Sequence, residues 1–157
     1  MEKIMETNIT LNAEEGVGHT KKSFTRFIPH VVRILMGLPL FIGGLNGFLK
    51  FFPEPSAPMP EGAAAFLGAL LKSGYMIQLI MGTQLIVGTL LLLNRFVPLA
   101  LALIAPFLVN SLAFHIFLAP SGLPIIAVFV VFEIYLAWAY QKTFRPMLAM
   151  KTTPGAK

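Results

Sequence analysis

The sequence has no cysteine, and all seven of its acidic residues are glutamate. Without thiols, disulfides, iron–sulfur clusters, thiolate zinc sites and cysteine catalysis are excluded. Charge is scarce as well, at 12% of residues against about 25% in an ordinary soluble domain. Nine of the charged residues precede position 34 and four follow position 141. Only Lys50, Glu54, Glu61, Lys72, Arg95 and Glu133 remain for the long middle of the chain. A surface so poor in charge cannot hold a water-soluble globule, which excludes a soluble enzyme. The histidines are His19, His30 and His115, and only His115 falls in an apolar stretch. A catalytic zinc takes three protein ligands, and the apolar region offers one His and one Glu. Bis-histidine haem is not available within one chain, and no Gly-rich phosphate loop is present. No metal or haem is expected.

What is abundant is apolar side chain: 56% of the 157 residues are hydrophobic, and mean hydropathy is +0.76. The solvent that suits such a chain is the lipid bilayer. A net charge of +5 would point to nucleic acid in a soluble protein. Here the positive excess lies at the two chain ends, where it acts as a membrane-orientation signal, and no nucleic-acid partner is expected.

A spanning helix needs about 20 mostly apolar residues. Four segments qualify, at about 31–52, 75–93, 97–118 and 124–140. Their continuous apolar runs lack the strict alternation of a β-barrel strand. Asn94-Arg95-Phe96 is all that joins the second span to the third, so these form a tight antiparallel hairpin. Ala119-Pro120-Ser121-Gly122 joins the third to the fourth. The first connection is longer and opens with Pro53, Pro55, Pro58 and Pro60, which prevent a continuous helix. It continues through 62–73, where Phe66, Leu67, Leu70 and Leu71 gather on one side. The expected fold is all-α: an integral membrane four-helix bundle with a short interfacial or re-entrant helix between spans one and two.

Residues 1–25 read as a polar N-terminal tail, 26–146 as the four-span domain and 147–157 as a basic C-terminal tail. The N-terminal segment lacks the apolar core and cleavage site of a signal peptide, so the first span is expected to act as an uncleaved signal-anchor. Lys21, Lys22, Arg26 and Arg33 flank the first span, and Lys142, Arg145 and Lys151 follow the last. The positive-inside rule then places both termini in the cytoplasm. Trp138 and Tyr140 fit an aromatic belt at that end of span four.

Polar residues at membrane depth cost about 2.5–3.5 kcal/mol each when ionisable, and they face the bundle interior. By residue count, Arg33, Gln84 and Glu133 fall in an inner layer, and Asn46, Lys50, Asn110 and His115 in an outer one. Asn46 and Lys50 are four apart on one face of span one, with Gly43 and Gly47 close to that face for a neighbouring helix. Ser111 and His115 share a face of span three, and Asn110 points elsewhere. Each of these residues has two readings. Glu133 either ties the helices together through Arg33 or Gln84, or serves as a proton-active or ligand-binding carboxylate. His115 is either a helix-to-helix hydrogen bonder or a ligand contact. Asn46, Gln84 and Asn110 are either polar glue or part of a binding site, and Lys50 either snorkels to the headgroups or joins that site.

Several of these residues sit in recognisable strings. Span one carries Arg33-Ile34-Leu35-Met36-Gly37 and Gly44-Leu45-Asn46-Gly47-Phe48. Span two carries Ser73-Gly74-Tyr75 and then Gln84-Leu85-Ile86-Val87-Gly88-Thr89, followed by Arg95-Phe96-Val97-Pro98. Span three ends in Phe114-His115, and span four has Glu133-Ile134-Tyr135-Leu136-Ala137. Together, over about 26–146, they resemble the DoxX / DoxX-like family of small four-helix bacterial membrane proteins. The resemblance implies a multi-pass protein of the bacterial inner membrane. The family takes its name from a subunit of a thiosulfate:quinone oxidoreductase, so the resemblance also implies a link to quinone chemistry. Many relatives carry Glu where this chain has Gln84, and Lys where it has Gly47. The expected role is a redox-associated, quinone-linked membrane subunit, with a partner oxidoreductase subunit or a homo-oligomer beside it in the lipid bilayer. The alternatives are a non-enzymatic membrane scaffold and a small-solute transporter.

Overall fold

A computed structural model describes residues 27–53 and 58–144. The polar tail 1–25, Arg26, Glu54, Arg145 and the basic tail 147–157 lie outside the described residues. Among the described residues every regular element is helical. The order is α1 (Phe27–Leu49), α2 (Glu61–Lys72), α3 (Met76–Leu92), α4 (Val97–Phe117), a 3-10 turn (Pro120–Gly122), α5 (Leu123–Ala139) and the short α6 (Gln141–Phe144).

Three helical segments are long and apolar enough to cross a membrane: α1, α4, and α5 with its leading turn. A fourth span arises if α2 and α3 count together, although the chain bends by 90° between them. With 17 residues, α3 alone is about 26 Å long, slightly less than the ~30 Å hydrocarbon core. Apolar runs of this kind take up helix because lipid offers no partner to an unbonded peptide group. Pro98 and Pro124 sit in the first turns of α4 and α5, where their missing N–H costs nothing.

The ends of the helices follow local rules. α1 starts four residues before the sequence-based bound and stops three residues short of it. Pro29 falls in its first turn, where proline is tolerated. At the other end Lys50 adopts φ +50°, and its N–H donates to Asn46 O at 2.8 Å, a left-handed helix stop. The Phe52 N–H then donates to Asn46 Oδ1 at 2.8 Å. Lys50 therefore lies past the helix end and exposed, not one turn along the Asn46 face as its spacing suggested. α3 closes with Asn94 in the left-handed region, Asn94 N–H donating to Leu91 O and Arg95 N–H to Leu90 O. That is a Schellman stop, and it turns the chain directly into α4.

Within residues 33–144, α3 packs on α4 and α4 on α5. α1 meets α3 at almost backbone distance. A Cβ at Gly44 would lie 2.7 Å from Met81 O and 2.8 Å from Leu85 Cα, and one at Gly88 would run into the Phe41 backbone. The sequence suggested Gly43 and Gly47 for this approach, and the closest backbone contacts are made through Gly44 and Gly88. The buried stripe of α1 is Arg33, Met36, Gly37, Leu40 and Gly44, and that of α4 is Val97, Ala100, Leu101, Ile104 and Leu108. Both follow the three-and-four spacing of a helix face. Outward positions such as Val109, Ile125, Val131 and Ile134 are apolar and exposed, a surface suited to lipid rather than water.

α2 forms at 61–72, close to the expected segment. Phe66, Leu67 and Leu70 are half-buried, and the Phe66 ring lies 5.5 Å from that of Phe114. Leu71 instead faces outward.

Candidate functional site

The helix directions follow from three contacts. Gly37 meets Leu91 while Gly47 meets Met81, so α1 and α3 run antiparallel. A short turn reverses α3 into α4. Tyr140, just after α5, donates from its hydroxyl to Asn94 Oδ1 at 3.3 Å, which returns α5 to the α3–α4 turn. Within residues 33–144, the Arg33–Gly37 part of α1 and the end of α5 therefore share one end.

Between these helices lies a cavity of about 270 Å³. Pro39 and Leu40 of α1, Gln84 of α3, Phe107, Leu108, Ser111 and His115 of α4, and Ile126 and Phe129 of α5 form its wall, with Gly122 and Ile125 near its rim. From Phe107 to His115 it follows about 12 Å of α4 at ~1.5 Å per residue. It is open to one side. Pro39 and Ile125 are its exposed apolar lining residues on α1 and α5, so the mouth lies between those two helices and faces the apolar exterior.

Three polar side chains line this otherwise apolar space. Ser111 and His115 are one turn apart on the same face of α4, and Gln84 faces them from α3. Gly43 lies beside the Gln84 amide, where a Cβ would be in ordinary contact at 3.4 Å from Gln84 Oε1. Among the described residues neither Gln84 nor Ser111 has a side-chain hydrogen bond. The other hydroxyls on α3 are committed. Thr83 Oγ1 donates to Leu79 O at 2.8 Å and Thr89 Oγ1 to Leu85 O at 2.7 Å. The His115 ring is held by Ala119 O, 2.9 Å from Nδ1, and by Gly122, where any Cβ would collide with the imidazole.

Glu133 and Arg33 lie beyond the floor. Glu133 is one turn past Phe129 on the same face of α5, about 6 Å further on, and Arg33 is two turns before Leu40, about 10 Å away. Both are displaced from the cavity toward the same end of the molecule. Arg33 is only 5% exposed, and among the described residues its enclosed Nε and Nη1 have no hydrogen-bond partner. Glu133 Oε2 is enclosed and unpartnered too. An acid and a base, each with enclosed polar atoms, thus lie on the same side of the cavity.

Of the seven sequence candidates, Gln84 and His115 converge on the cavity, and Arg33 and Glu133 lie beneath it. Asn46 is engaged in stopping α1, and Lys50 is exposed beyond that stop. Asn110 lines a separate groove of about 450 Å³ between α2, α3 and α4, with Phe66, Thr83 and Phe107. A wider hollow of about 570 Å³ lies at the far end beside Asn94, Phe96 and Tyr140, where the polar Asn94 and Tyr140 groups bond to each other. The first cavity is smaller but brings three polar side chains together from two helices, and for that reason it is the candidate site. Its aromatic and aliphatic wall, Phe107, Ile126 and Phe129, carried no signal in the sequence beyond general apolarity. Among the described residues no cluster of three metal-ligating side chains occurs.

No protein-family model matches the chain, and neither does any curated protein or any solved structure.

Proposed function

We propose that this chain is a DoxX-like, four-helix multi-pass protein of the bacterial inner membrane, both termini cytoplasmic, that binds a quinone-type ring and serves as the membrane subunit of a redox system. The observation that carries the reading is the side-opening cavity in whose apolar wall Gln84 and Ser111 have no side-chain hydrogen bond among the described residues and His115 is held through Nδ1 alone. Ligand sites generally combine an apolar lining with a few placed polar groups. At about 270 Å³ the space falls just below the usual ~300–1,000 Å³ range, so it suits a ring headgroup rather than a whole lipid. A hydrocarbon tail would leave through the mouth between α1 and α5 into the acyl chains. α2, with its half-buried aromatic and aliphatic face, lies at the membrane interface in this reading.

In this arrangement the apolar wall holds the ring by area, and the polar groups orient its oxygen substituents. Glu133, one turn below the floor, is the nearest carboxylate on α5 through which a proton could leave toward the end of the helices. The chain has no cysteine to hold an iron–sulfur cluster, and in this reading electrons pass to or from a partner subunit or a bound cofactor. Purification from native membranes tests this. The expected result is a co-purifying oxidoreductase subunit and an extractable quinone whose amount falls when Ile126→Trp fills the cavity. Quinone retained unchanged by Ile126→Trp would contradict the reading.

A structural scaffold is the second reading. It is favoured by Asn46 and Tyr140, whose side chains bond the chain's own loop groups. Glu133→Gln separates the two. Function retained in the Glu133→Gln protein that folds speaks for the scaffold, and function lost in that folded fraction speaks for chemistry.

A further inference from the structure

We infer that the cavity recognises its ligand through a hydroxyl hydrogen: His115 presents a bare Nε2 acceptor, so the preferred ring is a phenol or hydroquinone rather than the corresponding quinone. This inference rests on the ligand-cavity reading above and narrows it to one chemical form.

Two constraints set the imidazole. A carbonyl oxygen has lone pairs and no hydrogen. The 2.9 Å contact between His115 Nδ1 and Ala119 O therefore needs its hydrogen on Nδ1. A neutral imidazole carries one N–H, which leaves Nε2 as a lone pair. The second constraint is steric. Ala119 and Gly122 flank the Pro120–Gly122 turn, and the ring rests against Gly122 so closely that even a methyl group there would overlap it. Turning the ring over would replace the Nδ1 donor with a carbon and lose the Ala119 bond. The turn thus holds both the orientation and the tautomer.

Among the described residues Nε2 has no hydrogen-bond partner, and it is not among the enclosed atoms. The ring itself lines the cavity. Ser111, one turn away, and Gln84, on the facing helix, can each donate or accept. A ligand hydroxyl satisfies this set: its hydrogen goes to Nε2 and its oxygen accepts from Ser111 or Gln84. A quinone carbonyl brings only lone pairs. It can accept from Ser111 or Gln84, but against Nε2 it places acceptor on acceptor. An unmade hydrogen bond in an apolar site weakens binding by roughly tenfold or more.

The test uses the full chain in lipid nanodiscs at neutral pH. With 15N-histidine labelling, and with His115→Gln to assign the signals, His115 is expected to show a protonated Nδ1 and an unprotonated Nε2. The Nε2 signal moves when a short-tailed hydroquinone is added. An Nε2–H tautomer or a doubly protonated ring would overturn the inference. Anaerobic titrations then compare that hydroquinone with its quinone and its dimethyl ether. The hydroquinone is expected to bind roughly tenfold more tightly than either, and His115→Phe is expected to remove the preference. Equal affinity for all three, lost on Ile126→Trp, would overturn the hydroxyl inference and leave the cavity reading standing. No saturable binding of any of them would overturn both.

Discussion

His115 is the residue whose surroundings are most tightly specified. One nitrogen is bound to Ala119 O, and the ring face rests on Gly122. Gly122 has φ −87°, so its backbone does not require glycine; the space does. Gly122→Ala should therefore displace the ring and destabilise the chain by about 1–3 kcal/mol, measured by thermal or denaturant unfolding in detergent. It should also weaken any ligand that depends on Nε2. Arg33 and Glu133 give a second prediction. Among the described residues each has enclosed polar atoms without a partner, and both lie beyond the same end of the cavity. Arg33→Met and Glu133→Gln should each destabilise the chain, and the double variant should lose less than the sum, with a coupling of about 0.5–3 kcal/mol. Strict additivity would show that the two groups act separately. In the sequence both stood out as charges in apolar runs, but residue counting alone could not show that neither has a hydrogen-bond partner at these atoms.

Among the elements, the α1–α3 pair is the most demanding. Gly44 and Gly88 bring two backbones into contact, so a methyl group at either forces the helices apart. Gly44→Ala and Gly88→Ala should each cost about 1–3 kcal/mol, read as loss of folded fraction against a denaturing detergent. Gly68 in α2 is the control: nothing lies within 4 Å of a Cβ there. Gly68→Ala should stabilise the helix by about 0.5–1 kcal/mol. Helices α3, α4 and α5 were legible almost to the residue, because Asn94, Pro98 and Pro120–Gly122 punctuate long apolar runs. The end of α1 was less so. Nothing in Asn46-Gly47-Phe48-Leu49-Lys50 marks a stop, which depends on Asn46 Oδ1 capturing the Phe52 N–H. The candidate site was legible in part. Gln84 and His115 were visible as polar groups in apolar segments. Layering by depth separated them, because it treats side chains as points, whereas the cavity runs for about 12 Å and touches both. Ser111 was noticed only as a neighbour of His115, and its place beside Gln84 needed the α3–α4 packing.

At the scale of the molecule, the exterior and the cavity belong to one arrangement. Apolar side chains face outward on every long helix among the described residues, and on α5 only Ile126 and Leu136 are fully buried. The absence of cysteine makes this testable without background labelling. Single cysteines at Val109, Val131 and Ile134 should resist a polar maleimide in intact membranes, because all three positions are exposed on the apolar sides of their helices and the proposed topology puts them in lipid. A cysteine at Lys142 should react from the cytoplasmic side and one at Ser121 from the opposite side. Reaction of both from one side would contradict the proposed topology. The cavity reading is tested most directly by photolabelling. A short-tailed ring with a photoreactive group is added to the full chain in nanodiscs, and the adducts are mapped by mass spectrometry with and without an excess of unlabelled ring. The expected adducts fall at Gln84, between Phe107 and His115, and between Ile125 and Phe129, and the unlabelled ring abolishes them. Adducts spread over Val109, Val131 and Ile134 and insensitive to competition would mean that the ring dissolves in the lipid around the protein and that the cavity is not its site.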